Sequence, residues 1–248
     1  MEFVLSEAKF FKSCVDAVSN LIDEGAFQVG KDGLHLRAMD PSQIAMVDFT
    51  LPKEAFERIE VEDKASIGVN LADLVKILAR ARPDEKLTIK IDEKESRLSL
   101  EFKGQTKRRF KMPLLDTNTT LPKEPKVAFD ADVKIRGGTF KDLLRDAALL
   151  SSHVVLEAED SRFTVEAHGD SGDMHSELEK ASGELADIKV TAKSRAMFPH
   201  EYLDDISRAC PDDSAISISL KNDAPVKISY GIDKAKLSYF LAPRVESA

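Results

Sequence analysis

Any chemistry in this chain must come from five histidines, two cysteines and scattered carboxylates. The histidines are His35, His153, His168, His175 and His200, and one stretch concentrates possible metal ligands: His168-Gly169-Asp170-Ser171-Gly172-Asp173-Met174-His175. Its spacing lacks the alternating carboxylates and distal glutamate of a calcium loop. The matching segment 129 residues earlier, Met39 to Met46, holds no ligand set, so a glycine-rich connection between strands is expected there. Asp40, Asp48 and Asp116 have no histidine, serine or cysteine at a spacing that would make an acid–base or nucleophilic pair. The motifs of phosphate loops, dinucleotide folds, zinc-protease helices and nucleophile elbows are absent. Cys14 and Cys210 are too few for a disulfide scaffold or most cysteine–metal sites, and both fall on apolar helix faces as expected buried thiols. The reading therefore assigns no catalytic residue, metal or cofactor.

The stronger pattern is cationic and helical. Phe10, Phe11, Cys14, Val15, Val18, Leu21 and Ile22 recur at helical spacing, and the opposite face carries Lys9, Lys12, Ser13, Asp16 and Asn20. A second helix, with Leu71, Leu74, Val75 and Leu78 as its stripe, sets Lys76 and Arg80 four residues apart, with Arg82 just beyond. A third offers Lys141 and Arg145, and a fourth only Arg208 beside Glu201, Asp204 and Asp205. Any one such helix reads as a solvated face. Cation pairs on three of four equivalent helices point to a stripe that meets phosphates, and with no aromatic residues interleaved it would hold a backbone without reading bases.

The helices recur because the chain does. Offset by 129 residues, Phe11-Lys12-Ser13-Cys14-Val15 falls on Phe140-Lys141-Asp142-Leu143-Leu144, and Leu34-His35-Leu36-Arg37-Ala38 on Phe163-Thr164-Val165-Glu166-Ala167. Each half reads as a helix, several alternating strands, a second short helix and more strands. That grouping predicts an α+β fold with antiparallel sheets and two helices per domain. The expected division is a domain over 1–115, an extended proline-bearing connector over 116–126, and a second domain over 127–248.

The 248 residues include 36 basic and 44 acidic side chains, a net charge of −8, with 42% hydrophobic residues. No apolar run approaches a membrane span, and the N-terminus lacks a signal-peptide pattern, so an intracellular chain, cytoplasmic or nucleoid-associated, is expected. Net charge alone argues against nucleic acid as a partner. Its distribution argues otherwise: residues 1–124 hold 20 basic and 22 acidic residues, while 125–248 hold 16 and 22. Lys107, Arg108, Arg109 and Lys111 form a basic strand-like run in the first half, with Arg82 nearby in sequence. Asp173, Glu177 and Glu179, with Asp142 and Asp146, make an acidic counterpart in the second. Two unrelated solvated edges would look the same, but edges of opposite charge can also join copies head to tail, closing a ring if the rotation allows.

Three segments carry a family resemblance: Gly33-Leu34-His35-Leu36-Arg37-Ala38-Met39-Asp40-Pro41-Ser42, Ile67-Gly68-Val69-Asn70-Leu71 followed by Lys76-Ile77-Leu78, and the ending Tyr239-Phe240-Leu241-Ala242-Pro243-Arg244-Val245-Glu246. Together they resemble the sliding-clamp family that includes proliferating cell nuclear antigen, of the archaeal and eukaryotic two-domain type. The resemblance implies the DNA-clamp fold and a homotrimeric ring around double-stranded DNA, with no cofactor and no enzyme activity of its own. It implies partners that dock through short peptide motifs: DNA polymerase, clamp loader, flap endonuclease and DNA ligase. By the same resemblance Lys9, Lys12, Lys76, Arg80, Lys141, Arg145 and Arg208 would face the channel. Met39, Gln43, Ile44, Leu121, Pro225, Phe240, Ala242 and Pro243 would form the partner pocket. Arg82, Lys107, Arg108, Arg109, Lys111, Asp142, Asp146, Glu177 and Glu179 would lie at the subunit interface. Ser13 and Ser19 stand where some relatives carry lysine, which implies a thinner channel charge. Two other readings stay open at this point: a metal-dependent DNA-processing enzyme using Asp40, Asp170 and Asp173, and one subunit of a heterotrimeric clamp.

Overall fold

In a computed structural model of the chain, residues 1–92, 95–116, 121–180 and 183–244 are described. Connector residues 117–120 and the final residues 245–248 of the resembling C-terminus lie outside them. The elements in the first half are β1 (Glu2–Leu5), α1 (Ala8–Ser19), β2 (Glu24–Gly30), β3 (Gly33–Met39), β4 (Ala45–Pro52), β5 (Arg58–Glu60), β6 (Ala65–Asn70), α2 (Leu71–Leu78), β7 (Lys86–Asp92), β8 (Arg97–Lys103) and β9 (Lys107–Pro113). A single 3₁₀ turn, Lys53–Ala55, precedes β5. The second half repeats the order: β10 (Ala131–Arg136), α3 (Gly137–Ala148), β11 (His153–Glu159), β12 (Arg162–Gly169), β13 (Gly172–Glu179), β14 (Leu185–Val190), β15 (Ser194–Pro199), α4 (His200–Arg208), β16 (Ala215–Leu220), β17 (Val226–Ile232) and β18 (Ala235–Leu241). The first helices of the two halves, like the starts of the second helices, are 129 residues apart, as the sequence offset requires.

The chain forms two compact units. The first comprises Met1–Pro41, Val47–Pro122 and Gly231–Leu237; the second comprises Ser42–Met46, Lys123–Tyr230 and Ser238–Ala248. In the first, one sheet has the order β5-β1-β7-β8-β9 and another strand set runs β4-β3-β2-β6. In the second, the equivalents are β14-β10-β16-β17-β18 and β13-β12-β11-β15. The strand pairs whose register is resolved are antiparallel. This is the expected α+β arrangement, and β9 and β13 each end a sheet within their own unit.

Sequence patterns explain the local choices. The apolar stripe of α1 buries Phe11, Cys14, Val15 and Val18, and α1 packs on α2. That helix ends at Ser19, earlier than the stripe suggested; Leu21 and Ile22 lie beyond it, buried, and donate to the Val18 carbonyl at 3.2 and 3.3 Å. Asn70 caps α2, its Oδ1 accepting from the Asp73 amide at 2.8 Å. In the second unit Phe140, Leu144 and Ala147 of α3 are buried, and α3 packs on α4. Tyr230 and Tyr239 stack with ring centroids 5.8 Å apart, and the Tyr230 hydroxyl donates to the Ile206 carbonyl at 2.8 Å, tying β17 to α4. Gly33 has φ of +121°, and a Cβ there would stand 2.1 Å from the Leu51 carbonyl oxygen, so the turn between β2 and β3 requires glycine.

Candidate functional site

The helix cations expected to face phosphates mostly come with carboxylates of their own. Lys12 pairs with Asp16, Lys76 Nζ lies 2.8 Å from Asp73, Arg145 Nη1 2.5 Å from Asp142, and Arg208 Nη2 2.6 and 2.7 Å from Asp204 and Asp205. Lys141 is drawn inward, 12% exposed, pairing with Asp212 and donating to the Cys210 carbonyl at 2.8 Å. Lys9 is exposed, and no carboxylate partner is seen for it among the described residues. Arg80 differs from the sequence reading: α2 ends at Leu78, with Ala79 as its cap, so Arg80 sits in the following turn, its amide donating to Ile77 at 3.0 Å. The helix stops short of Arg80 because Pro83 and the Arg82–Glu85 turn keep the chain from continuing helically.

That turn contains a feature the sequence did not signal. Glu85 is 3% exposed, and its carboxylate accepts from the Arg82 amide at 2.8 Å and from Arg108 Nη2 at 2.5 Å. Burial alone would raise the Glu85 carboxyl, but the Arg82 amide and the Arg108 guanidinium hold it below the usual carboxylate range. Arg108 also donates to the Arg80 carbonyl at 3.0 Å and lies 5.3 Å from the Phe102 ring centre. It is thus an internal strut of the first unit, half-buried, and unlike its neighbours does not project from the edge.

Those neighbours do project. Lys107, Arg109 and Lys111 are exposed on β9; the first two contact Glu101 of β8 at 2.9 and 2.6 Å, and Lys111 contacts Glu95, just before β8, at 3.3 Å. Arg82 is exposed in the turn before β7. On the second unit Asp173, Glu177 and Glu179 are exposed along β13, and Asp142 and Asp146 are exposed on α3. Of the pocket residues, Ile44, Phe240 and Ala242 come together in the second unit: the Ala242 amide donates to the Ile44 carbonyl at 2.8 Å. Phe240 is buried, with Lys227 Nζ 5.1 Å from its ring centre, so it serves as floor while Gln43 is exposed and Pro225 and Pro243 are half-buried. Met39 and Leu121, in the first unit, are each 38% exposed, which is unusual for large apolar side chains here.

Of the carboxylates considered for acid–base work, Asp48 has a structural role. Asp48 bonds His35 Nε2 at 3.0 Å and pairs with Arg37; burial pushes its carboxyl up, and these two partners hold it down. Asp40 is buried and Asp116 exposed. The His168–His175 stretch is the glycine-rich turn between β12 and β13, with Gly169 opposite Gly172. Among the described residues no group of three or more histidine, cysteine or acidic side chains is placed to hold a metal. Both thiols are buried, and burial pushes Cys14 to about 12 and Cys210 to about 11. Cys210 lies just past α4, not on its apolar face as expected, with Ala209 capping the helix between them. Among the described residues no helix is long and apolar enough to cross a membrane.

Comparison with known proteins decides the family. The model of the proliferating cell nuclear antigen N-terminal domain matches residues 1–119 and that of the C-terminal domain matches residues 123–245. The chain belongs to the proliferating cell nuclear antigen family. A DNA polymerase sliding clamp from Methanococcus vannielii is 35% identical over 240 residues, covering 96% of either chain. A crystal structure of PCNA from Thermococcus kodakaraensis superposes with a TM-score of 0.93 at 28% identity, covering 98% of this chain and 99% of that one. The structure of A. fulgidus PCNA with the C-terminal region of FEN-1 bound has a TM-score of 0.90 at 25% identity, covering 100% and 99%. The PCNA family comprises DNA sliding clamps, and this chain has their fold.

Proposed function

We propose that three copies of this chain close head to tail into a homotrimeric ring around duplex DNA. The ring tethers DNA polymerase and other replication and repair proteins and performs no catalysis itself. The observation that carries this reading is the pair of sheet ends: β9 presents Lys107, Arg109 and Lys111, and β13 presents Asp173, Glu177 and Glu179. β9 holds in its unit the position of β18, and β13 holds that of β4, so the repeat supplies two complementary ends per chain. In this reading residues 1–115 and 127–248 are the two clamp domains, joined by a connector over 116–126. The helix pairs α1–α2 and α3–α4 line the hole, where Lys9, Lys12, Lys76, Arg80, Lys141, Arg145 and Arg208 meet phosphates weakly and without sequence preference. The mechanism is topological: DNA is retained by enclosure, with electrostatic contact only guiding it.

In this reading Met39, Gln43, Ile44, Leu121, Pro225, Phe240, Ala242 and Pro243 take the apolar and aromatic anchors of client peptides, with Ile44, Phe240 and Ala242 supplying the apolar surface of the second unit. Support for a peptide client comes from the A. fulgidus relative, to which the C-terminal region of FEN-1 is bound. Polymerase, clamp loader, flap endonuclease and DNA ligase are the expected clients, in an intracellular setting. Mass in solution near three times 27.4 kDa is expected. A smaller species would move the reading to one subunit of a mixed ring. Once loaded on closed circular DNA, the protein should be retained and then lost when the circle is linearised; unchanged retention would overturn enclosure.

A further inference from the structure

The β12–β13 hairpin carries two imidazoles set among carboxylates at the acidic end. His168 Nδ1 lies 2.9 Å from Asp173 Oδ1 and its Nε2 3.7 Å from Glu166. His175 Nδ1 lies 3.1 Å from the other Glu166 oxygen, and its Nε2 3.9 Å from Glu177. Glu166 thus links the two rings, and it is also held by Arg195 of β15 at 2.7 Å. Further charges on this face are Arg162 of β12, 3.3 Å from Glu177; Glu157 of β11, which meets Arg195 and Lys193 at 3.3 and 2.9 Å; and Glu159 of β11, 2.9 Å from Lys193 and 3.8 Å from Arg162. Both imidazoles are more than half exposed, so they exchange protons with solvent directly. None of these contacts is needed to hold the sheet, whose register is set by the backbone from Arg162–Glu179 to Gly169–Gly172.

We infer that this hairpin makes the ring contact pH-responsive, with His168 and His175 as the proton acceptors that cancel the acidic end. The inference rests on the head-to-tail ring reading, in which this end meets the Lys107, Arg109 and Lys111 end of a second copy. In a lone chain Asp173, then Glu166, raise His168 above the ordinary histidine value. An approaching row of cations disfavours imidazolium, so closing the contact expels protons. Protonation is therefore stronger in the open form, and lowering the pH through the histidine range shifts the balance from ring to monomer.

Sedimentation velocity at constant ionic strength, on wild type and on the His168→Asn, His175→Asn double variant at pH 7.5 and 5.5, tests this. The wild-type dissociation constant should rise about tenfold or more, the change that one pH unit of proton affinity per contact produces. The double variant should change by less than about twofold over the same interval. A wild-type ring equally tight at both pH values, or a variant that weakens as much as wild type, overturns the inference. A wild type that is monomeric at pH 7.5 overturns the ring reading instead, and this inference with it. Both substituted side chains are exposed, and circular dichroism of the two proteins should coincide at either pH.

Discussion

Glu85 shows how one buried carboxylate can organise a turn. Its carbonyl accepts from the Ala8 amide at 2.8 Å at the start of α1, while its carboxylate clamps Arg82 and Arg108. Glu85→Gln leaves the Arg108 charge without its counter-ion and should cost about 2 kcal/mol in denaturant unfolding. The same variant should flatten the acid side of the stability curve. Because the folded carboxyl sits below its ordinary value of 4.5, its contribution is complete above that value and is lost as pH falls below it. Tyr230→Phe removes the bond to Ile206 and should cost about 1 kcal/mol, with the Tyr239 ring still stacked. These residues escaped sequence reading for a common reason. Glu85 and Arg108 are 23 residues apart, and nothing in local spacing says that a strand residue will fold back onto a turn.

At the scale of elements, most of the fold was legible because burial drives it. The stripe of α1 and the alternation of β8 and β17 are buried as their periods require, while in β12 Thr164 is buried along with Phe163 and Val165. What was misjudged lies at element ends, where hydrogen bonds outweigh pattern: Arg80 past α2, Leu21 and Ile22 past α1, and Cys210 past α4. The carboxylates that pair with the helix cations were visible in principle. Asp73-x-x-Lys76, Asp142-x-x-Arg145 and Lys12-x-x-x-Asp16 have the spacing of neighbours on a helix surface. Asn70→Ala, which removes the cap of the eight-residue α2, should cost about 1 kcal/mol and reduce hydrogen-exchange protection at Asp73 and its neighbours. Lys76→Ala with Arg80→Ala should weaken polymerase stimulation on loaded DNA while the mass in solution stays that of wild type; loss of the trimer would contradict their channel placement.

For the whole molecule, a net charge of −8 and a DNA partner are compatible because charge is sorted by place. The two sheet ends should make ring assembly sensitive to salt. Raising ionic strength from about 0.1 M to about 1 M shortens the screening length from about 10 to about 3 Å. A salt series in sedimentation should show the trimer loosening, and a mass independent of salt would deny the charged ends a role. The intrahelical ion pairs bear on something different, the smoothness of travel. A lysine already shared with an aspartate on its own helix binds a phosphate only by giving up part of an existing bond. It therefore frees few condensed ions from the duplex, and retention on a circle should depend far less steeply on salt than the affinity of an ordinary basic DNA-binding protein. In the proposed ring each step from one phosphate to the next would exchange one carboxylate-tempered contact for another of nearly equal energy, and the duplex would pass through with little friction.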